Sequence, residues 1–205
     1  MKMTNAELEQ VLDNHEHWLK GDCDGWENMR ANLHEADLYG ADLSGVNLYE
    51  ADLGGANLYM ADLHKAYLSG ANLRGVDLYK ANLREAALYG VDLSEADLCG
   101  ADLCGADLCG ANLRGANLRG ANLHDANLYE ADLYGADLRE ARLGGANLHR
   151  ANLEKKYLIE KIIMLKKQIE EIETLYIIGD KEMMDAIKDY ENGNAELIKE
   201  TDLDW

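Results

Sequence analysis

The sequence has no proline and no phenylalanine, and only four cysteines among 205 residues. A composition so biased points to a repeat before anything else. Four cysteines are too few for a disulfide scaffold and fit a reducing compartment. No run of about 18 apolar residues occurs, so no transmembrane helix is expected. The opening "MKMTNAELEQ" lacks the apolar stretch of a signal peptide. These absences predict a cytoplasmic protein. Basic residues are scarce too: 20 Lys and Arg stand against 39 Asp and Glu, for a net charge of −19. That surface argues against direct electrostatic binding to nucleic acid or an anionic membrane. It favours basic partners, or competition with DNA for a basic groove.

What fills the chain is Ala, Leu, Asp, Asn and Gly in strict order. From Ala31 to Lys155 it reads A-(D/N)-L-x-x, and the central Leu recurs in all 25 pentads, from Leu33 to Leu153. The Ala is replaced only by Val46, Val76 and Val91, and the Asp or Asn only by Tyr67, Ala87 and Arg142. A period of five is neither that of a helix nor that of a strand. Disorder also disfavours such regular hydrophobicity. Alternation along an extended segment points Leu and Ala inward and Asp or Asn outward. The last position is Gly in 13 of 25 pentads, which suits the residue of a type II turn that needs positive φ. The other corners, such as Glu35, Met60 and Lys80, are expected to use a different turn.

This pattern resembles the pentapeptide repeat family, over 125 residues without an insertion. The resemblance implies an all-β solenoid, a right-handed quadrilateral β-helix with helical caps. Each pentad would form one side of a square and four would make a coil. The 25 pentads then give about six coils and a rod roughly 30 Å long. Each buried Leu contributes about 1.5–3 kcal/mol of hydrophobic free energy.

Three segments follow: a capping helix and loop at 1–30, the repeat at 31–155, and a C-terminal helical segment at 156–205. Open solenoid ends need caps. Thr4 and Glu7 form a capping box. Leu8, Leu12, His15 and Leu19 then recur at helical spacing beside Trp18. "KGDCDGWENMR" reads as the connecting loop. Beyond Lys155, Leu158, Ile162, Leu165, Ile169, Ile172 and Tyr176 form a heptad stripe. It fits either an intrachain helical hairpin or a homodimer through the C-terminal helix. An antiparallel pair would set Lys166 near Glu173, whereas a parallel pair would oppose Lys161 and Lys166.

Stacking residues one coil apart sorts the outward positions into columns. Cys99, Cys104 and Cys109 fall on three successive faces, which precludes a shared tetrahedral zinc or a disulfide between neighbours. Cys23 completes no motif. His64 and His124 share a face but lie about 14 Å apart. No nucleophile–base pair or phosphate loop stands out, and carboxylates on flat faces lack the pocket that shifts a pKa. No catalytic site, metal or cofactor is expected. The candidate partner-binding residues are aromatic or acidic. Tyr39, Tyr59 and Tyr79 form a column that reads as a stabilising ladder or as a contact patch. Tyr67 and Ala87, with Tyr89, leave one face locally uncharged.

Two functional readings remain open. The favoured one is a non-catalytic interaction or scaffold protein with an unknown protein partner. The resemblance implies the other, because some members of the family protect or inhibit DNA gyrase by presenting an acidic, duplex-like rod. Asp52, Asp92 and Asp132 would then stand in for phosphates. Against this, Asn32, Asn72 and Asn112 alternate with them, and Arg74, Arg114, Arg119, Arg139 and Arg142 interrupt the field. The chain also departs from the quinolone-resistance members, which carry loops between coils, and its central residue is never Phe.

Overall fold

The computed structural model describes residues 3–153. The heptad residues from Leu158 to Tyr176 lie outside the described residues, as does the rest of the C-terminal segment. Helix α1 spans Asn5–Lys20. Its N-terminus carries the expected capping box: the Thr4 side chain accepts from the Glu7 N–H, and the Glu7 carboxylate accepts from the Thr4 N–H at 2.8 Å. Gly21 ends the helix in the left-handed conformation, its N–H donating to the His17 carbonyl. Leu8 and His15 are buried, while Leu12, Trp18 and Leu19 are half-buried. The loop after α1 contains a short 3-10 helix, Trp26–Asn28, which the sequence pattern does not announce. Among the described residues, no helix is long and apolar enough to cross a membrane.

From Ala31 onward the chain is a solenoid. Parallel bridges pair each Asp/Asn slot with the residue 20 positions later, from Asn32↔Asp52 to Asp132↔Asn152. Four pentads therefore complete one coil. The pentad supplies a partner for nearly every backbone N–H, as burial requires. The Ala N–H closes the corner on the preceding Leu carbonyl, as in Ala36 to Leu33 at 3.0 Å. The N–H groups of the Asp/Asn slot, the Leu and the corner residue all donate to neighbouring coils, as in Asp52 to Ala31, Leu33 to Asp52 and Glu35 to Gly54. Only the N–H of the residue after Leu has no backbone carbonyl. It donates to the Asp or Asn side-chain oxygen two residues earlier, as in Gly54 to Asp52 at 3.1 Å. That one bond explains why the outward slot is Asp or Asn and not any polar residue.

The corners correct one expectation. Glu35, Met60, Lys80 and the other described non-glycine corners have φ of 55–62°, in the same left-handed region as the glycines. They do not use a different turn, because the corner N–H must reach the next coil wherever the pentad repeats. Several long corner side chains instead lie over a glycine of the next coil: Glu35 over Gly55, Glu50 over Gly70 and Lys80 over Gly100. Where two charged corners stack, their signs are opposite, as in Lys65–Glu85 at 3.4 Å and Glu130–Arg150 at 3.0 Å.

The core is the Leu column. Every central Leu from Leu33 to Leu138 is at most 3% exposed, and the Ala or Val of the middle coils is sealed beside it. The N-terminal segment meets the first coil at both of its ends. The Ala31 N–H donates to His15 Nδ1 at 3.1 Å, and the Met3 N–H to the Asp37 carbonyl at 3.3 Å.

Candidate functional site

The side chains pointing outward from a flat-sided rod are the only groups it can offer a partner. The Asp/Asn slot is the most regular of these, and it is bound into the scaffold. Besides capping its own pentad, Asp52 accepts from the Asn72 amide one coil later at 2.8 Å. Asp92 accepts from Asn112 at 3.0 Å and Asp132 from Asn152 at 2.9 Å. The same ladder ties Asn57 to Asp37, Asn82 to Asp62 and Asn117 to Asp97. An Asn above an Asp thus supplies the donor that a second carboxylate would lack. Asp52, Asp92 and Asp132 share one face, as the stacking predicts, and all three are partly covered.

Basic side chains reduce the acidic field further. Arg114 pairs with Asp132 at 3.1 Å, Arg84 with Asp102 at 3.3 Å, Arg74 with Glu95 at 3.0 Å and Arg119 with Glu140 at 2.9 Å. Arg139 grips Asp137 through Nε at 2.8 Å and lowers its pKa to about 2. These are exposed pairs of modest energy, but each brings a positive charge onto a face that a phosphate mimic would keep negative.

The Tyr39–Tyr59–Tyr79 column is a stacked ladder, with ring centroids 5.4 and 5.1 Å apart and planes within 20°. Tyr59 and Tyr79 are half-buried, and Lys80 lies over the Tyr79 ring at 5.1 Å. Much of the rings' area is thus occupied with their own neighbours.

The face bearing Tyr67 is different. Tyr67 and Ala87 interrupt the Asp/Asn column between Asn47 and Asp107. Neither offers an oxygen in the capping position, so the N–H groups of Ser69 and Tyr89 lack the bond made in other pentads. At the same place three tyrosines stand out: Tyr67 is 57% exposed, Tyr89 60% and Tyr49 44%. The register puts Tyr49 and Tyr89 two coils apart, about 10 Å, with Tyr67 beside them in the coil between. The sequence marks this patch through its two broken slots. Tyr49 obeys the consensus, so only stacking by coil brings it in.

The repeat cysteines are half-exposed free thiols. Burial, helped by Asp107 and Glu130, pushes the Cys109 thiol above its ordinary pKa. Sequence spacing missed a second grouping. His17, Asp22 and Cys23 converge where α1 ends, because the left-handed turn at Gly21 folds the loop back on the helix.

The family model described as pentapeptide repeats (8 copies) matches residues 29–64, 56–94, 91–128 and 126–155. No curated protein matches the chain. Among solved structures, it is similar to HetL of the cyanobacterium Nostoc sp. strain PCC 7120, a pentapeptide repeat protein involved in heterocyst differentiation regulation. The identity is 41% over 60% of this chain and 63% of that one, with a TM-score of 0.42. The chain thus spans less than two thirds of the length of HetL. It is also similar to Rfr23 of the cyanobacterium Cyanothece 51142, at 35% identity over 66% of this chain and 99% of that one, TM-score 0.46. Similarity to QnrB1, a plasmid-mediated fluoroquinolone resistance protein, is 21% over 66% of this chain and 88% of that one, TM-score 0.41. With the family model covering well over half of its length, the chain belongs to the pentapeptide repeat family.

Proposed function

We propose that this protein is a non-catalytic interaction module that binds a protein partner through the face bearing Tyr49, Tyr67 and Tyr89. The observation that carries the reading is the coincidence of exposed aromatics with broken ladder slots. At Tyr67 and Ala87 the scaffold forgoes capping bonds it makes elsewhere, each worth about 0.5–1.5 kcal/mol. Exposed tyrosines are well suited to interface cores, because they bury large area with few rotatable bonds. Among the described residues, a packed Leu interior with flat faces also offers no water-excluding cleft of the kind catalysis needs.

The test restores the consensus. Tyr67→Asp together with Ala87→Asn supplies both missing oxygens, continues the Asn–Asp alternation between Asn47 and Asp107, and removes one aromatic. The double variant should be more stable than the parent and should lose the partners that the parent captures from a lysate. An unchanged set of captured proteins would sink the assignment of this face.

The DNA-mimic alternative draws support from the net charge and the rod alone. The ladder and the Arg–carboxylate pairs count against it, since the carboxylates it needs are hydrogen-bonded inward along the column or neutralised. Asp52→Asn, Asp92→Asn and Asp132→Asn combined should still fold, because Asn keeps the capping oxygen, as the Asn147–Asn127 rung demonstrates at 3.1 Å. Little inhibition of gyrase supercoiling is expected from the parent. Strong, salt-sensitive inhibition that the triple variant abolishes would promote the mimic.

The C-terminal heptad stripe from Leu158 to Tyr176 is proposed as the homodimer contact, with light scattering of the full chain and of Leu165→Glu as its check. A monomeric parent at high concentration would remove that proposal.

A further inference from the structure

The end of α1 gathers three kinds of metal-binding atom. A ring nitrogen of His17, a carboxylate oxygen of Asp22 and the sulfur of Cys23 all lie within 4.8 Å of one another. His17 Nδ1 already meets Asp22 Oδ1 at 2.7 Å. The Cys23 sulfur rests against the thioether of Met29 at 3.7 Å in a partly buried position, so the thiol is held rather than free to swing. Imidazole, carboxylate and thiolate together are the donor set of a late first-row divalent metal, and zinc accepts all three.

Local electrostatics point the same way. The site lies at the C-terminal end of a 16-residue helix, where the macrodipole is negative and attracts cations. Asp24 and Glu27 follow closely in sequence, and the basic neighbour Lys20 is paired with Glu16 at 3.0 Å.

Geometry sets what must move. Metal–donor lengths of about 2.0–2.3 Å in a tetrahedron place donors roughly 3.3–3.8 Å apart. The longest separation therefore closes by up to about 1.5 Å, while the His17–Asp22 pair, now 2.7 Å apart, opens by about 0.6 Å. The closing falls on a loop bounded by Gly21 and Gly25, both at positive φ. Three protein donors leave a fourth position for solvent.

We propose that His17, Asp22 and Cys23 form a binding site for a divalent late transition metal of the zinc class, clasping the end of α1 to its loop. Binding replaces the proton shared by His17 and Asp22 and the proton of the Cys23 thiol, so protons are released as metal enters.

Cobalt(II) reports this directly, because a thiolate ligand gives a charge-transfer band and a tetrahedral site gives visible bands. The reduced full chain is titrated with cobalt alone, then with zinc in competition. The parent should saturate at one cobalt per chain, release protons and lose its bands to zinc. A variant with Cys99, Cys104 and Cys109 all changed to Ser should behave as the parent does, since Cys23 is then its only thiol. Cys23→Ser should abolish the charge-transfer band, and His17→Ala should weaken binding by at least about tenfold. A parent with no such band overturns the proposal. So does a band that disappears in the triple-Ser variant or survives in Cys23→Ser.

Discussion

A single methyl group at Gly110 should destabilise the solenoid although it touches nothing. Gly110 has φ of +65°, and a Cβ built there finds no atom within 4 Å. Gly110→Ala therefore isolates the cost of a left-handed corner. Holding an L-residue there costs about 1–2 kcal/mol. Stiffening the unfolded chain returns about 0.4–1 kcal/mol. Central values leave a net loss of about 0.8 kcal/mol, within bounds of about 0 and 1.6 kcal/mol. With a urea m-value of about 2.5 kcal/mol/M, the midpoint falls by roughly 0.3 M, and by about 0.6 M at the upper bound, at constant m. Met60→Gly is the mirror experiment, since Met60 sits at φ of 56° and is 51% exposed. It should gain about 0.8 kcal/mol, and at most about 1.6 kcal/mol, by the same arithmetic. Gly54→Ala separates sterics from conformation: its φ is ordinary, but a Cβ would meet His34 Nδ1 at 2.9 Å and Asn72 Nδ2 at 3.0 Å. Paired urea titrations decide. A stabilising Gly110→Ala, or a Met60→Gly as damaging as Gly110→Ala should be, would refute the idea that every corner imposes the same left-handed backbone.

Leu98 is fully buried, so Leu98→Ala should cost about 2–5 kcal/mol, read as a lower midpoint in the same titration. Asn112→Asp replaces the donor facing Asp92 with a second carboxylate and should destabilise by about 1–3 kcal/mol at neutral pH. The pair would hold a proton more tightly folded than unfolded, so stability should recover as pH falls; a melt at pH 4 against pH 7 checks the sign. Burial lowers the pKa of His15, and its Nδ1 must stay unprotonated to accept from Ala31. The resulting stability is full above the unfolded value of about 6.5 and is lost as pH falls through the lower folded pKa. Protection factors in Asn5–Lys20, corrected for the intrinsic slowing of exchange in acid, should therefore fall on acidification, and equal protection at pH 7.5 and 5 would contradict this. Among the repeat cysteines, Cys109 should react most slowly with a disulfide reagent at neutral pH, because its thiol pKa is raised.

The repeat was legible because its period is rigid and its apolar slots are invariant. Leu33 through Leu138, the capping box at Thr4 and the stacking of Tyr39, Tyr59 and Tyr79 could all be placed from spacing alone. The corners defy a residue-by-residue reading of intrinsic preference. A Glu dislikes positive φ in isolation, yet Glu85 adopts it because its N–H donates to the Cys104 carbonyl in the neighbouring coil. The Asp/Asn ladder was hidden for a related reason. Its rungs join residues 20 apart, and alternation along a column looks like diluted charge until donors and acceptors are paired. The cluster at His17, Asp22 and Cys23 has no fixed-spacing signature, because a helix end and a left-handed turn assemble it.

The ladder also tells which departures from the consensus carry information. The slot after Leu contributes its backbone to the scaffold while its side chain points outward. It can become Tyr, Ser, Cys, Arg or His without breaking a bond, and the sequence varies freely there. Variation in that slot, including three successive cysteines, is therefore weak evidence of use. The Asp/Asn slot is different, because a replacement without the side-chain oxygen leaves a backbone N–H uncapped and removes a rung. Arg142 shows that such a break occurs singly. Tyr67 and Ala87 are two breaks in consecutive coils of one column, and they coincide with three of the more exposed tyrosines in the described chain. A scaffold that tolerates paired losses at that spot is under a different constraint there from the rest of the column. Contact with a partner supplies such a constraint, since an interface can return the hydrogen bonds and the buried area that the solenoid gives up.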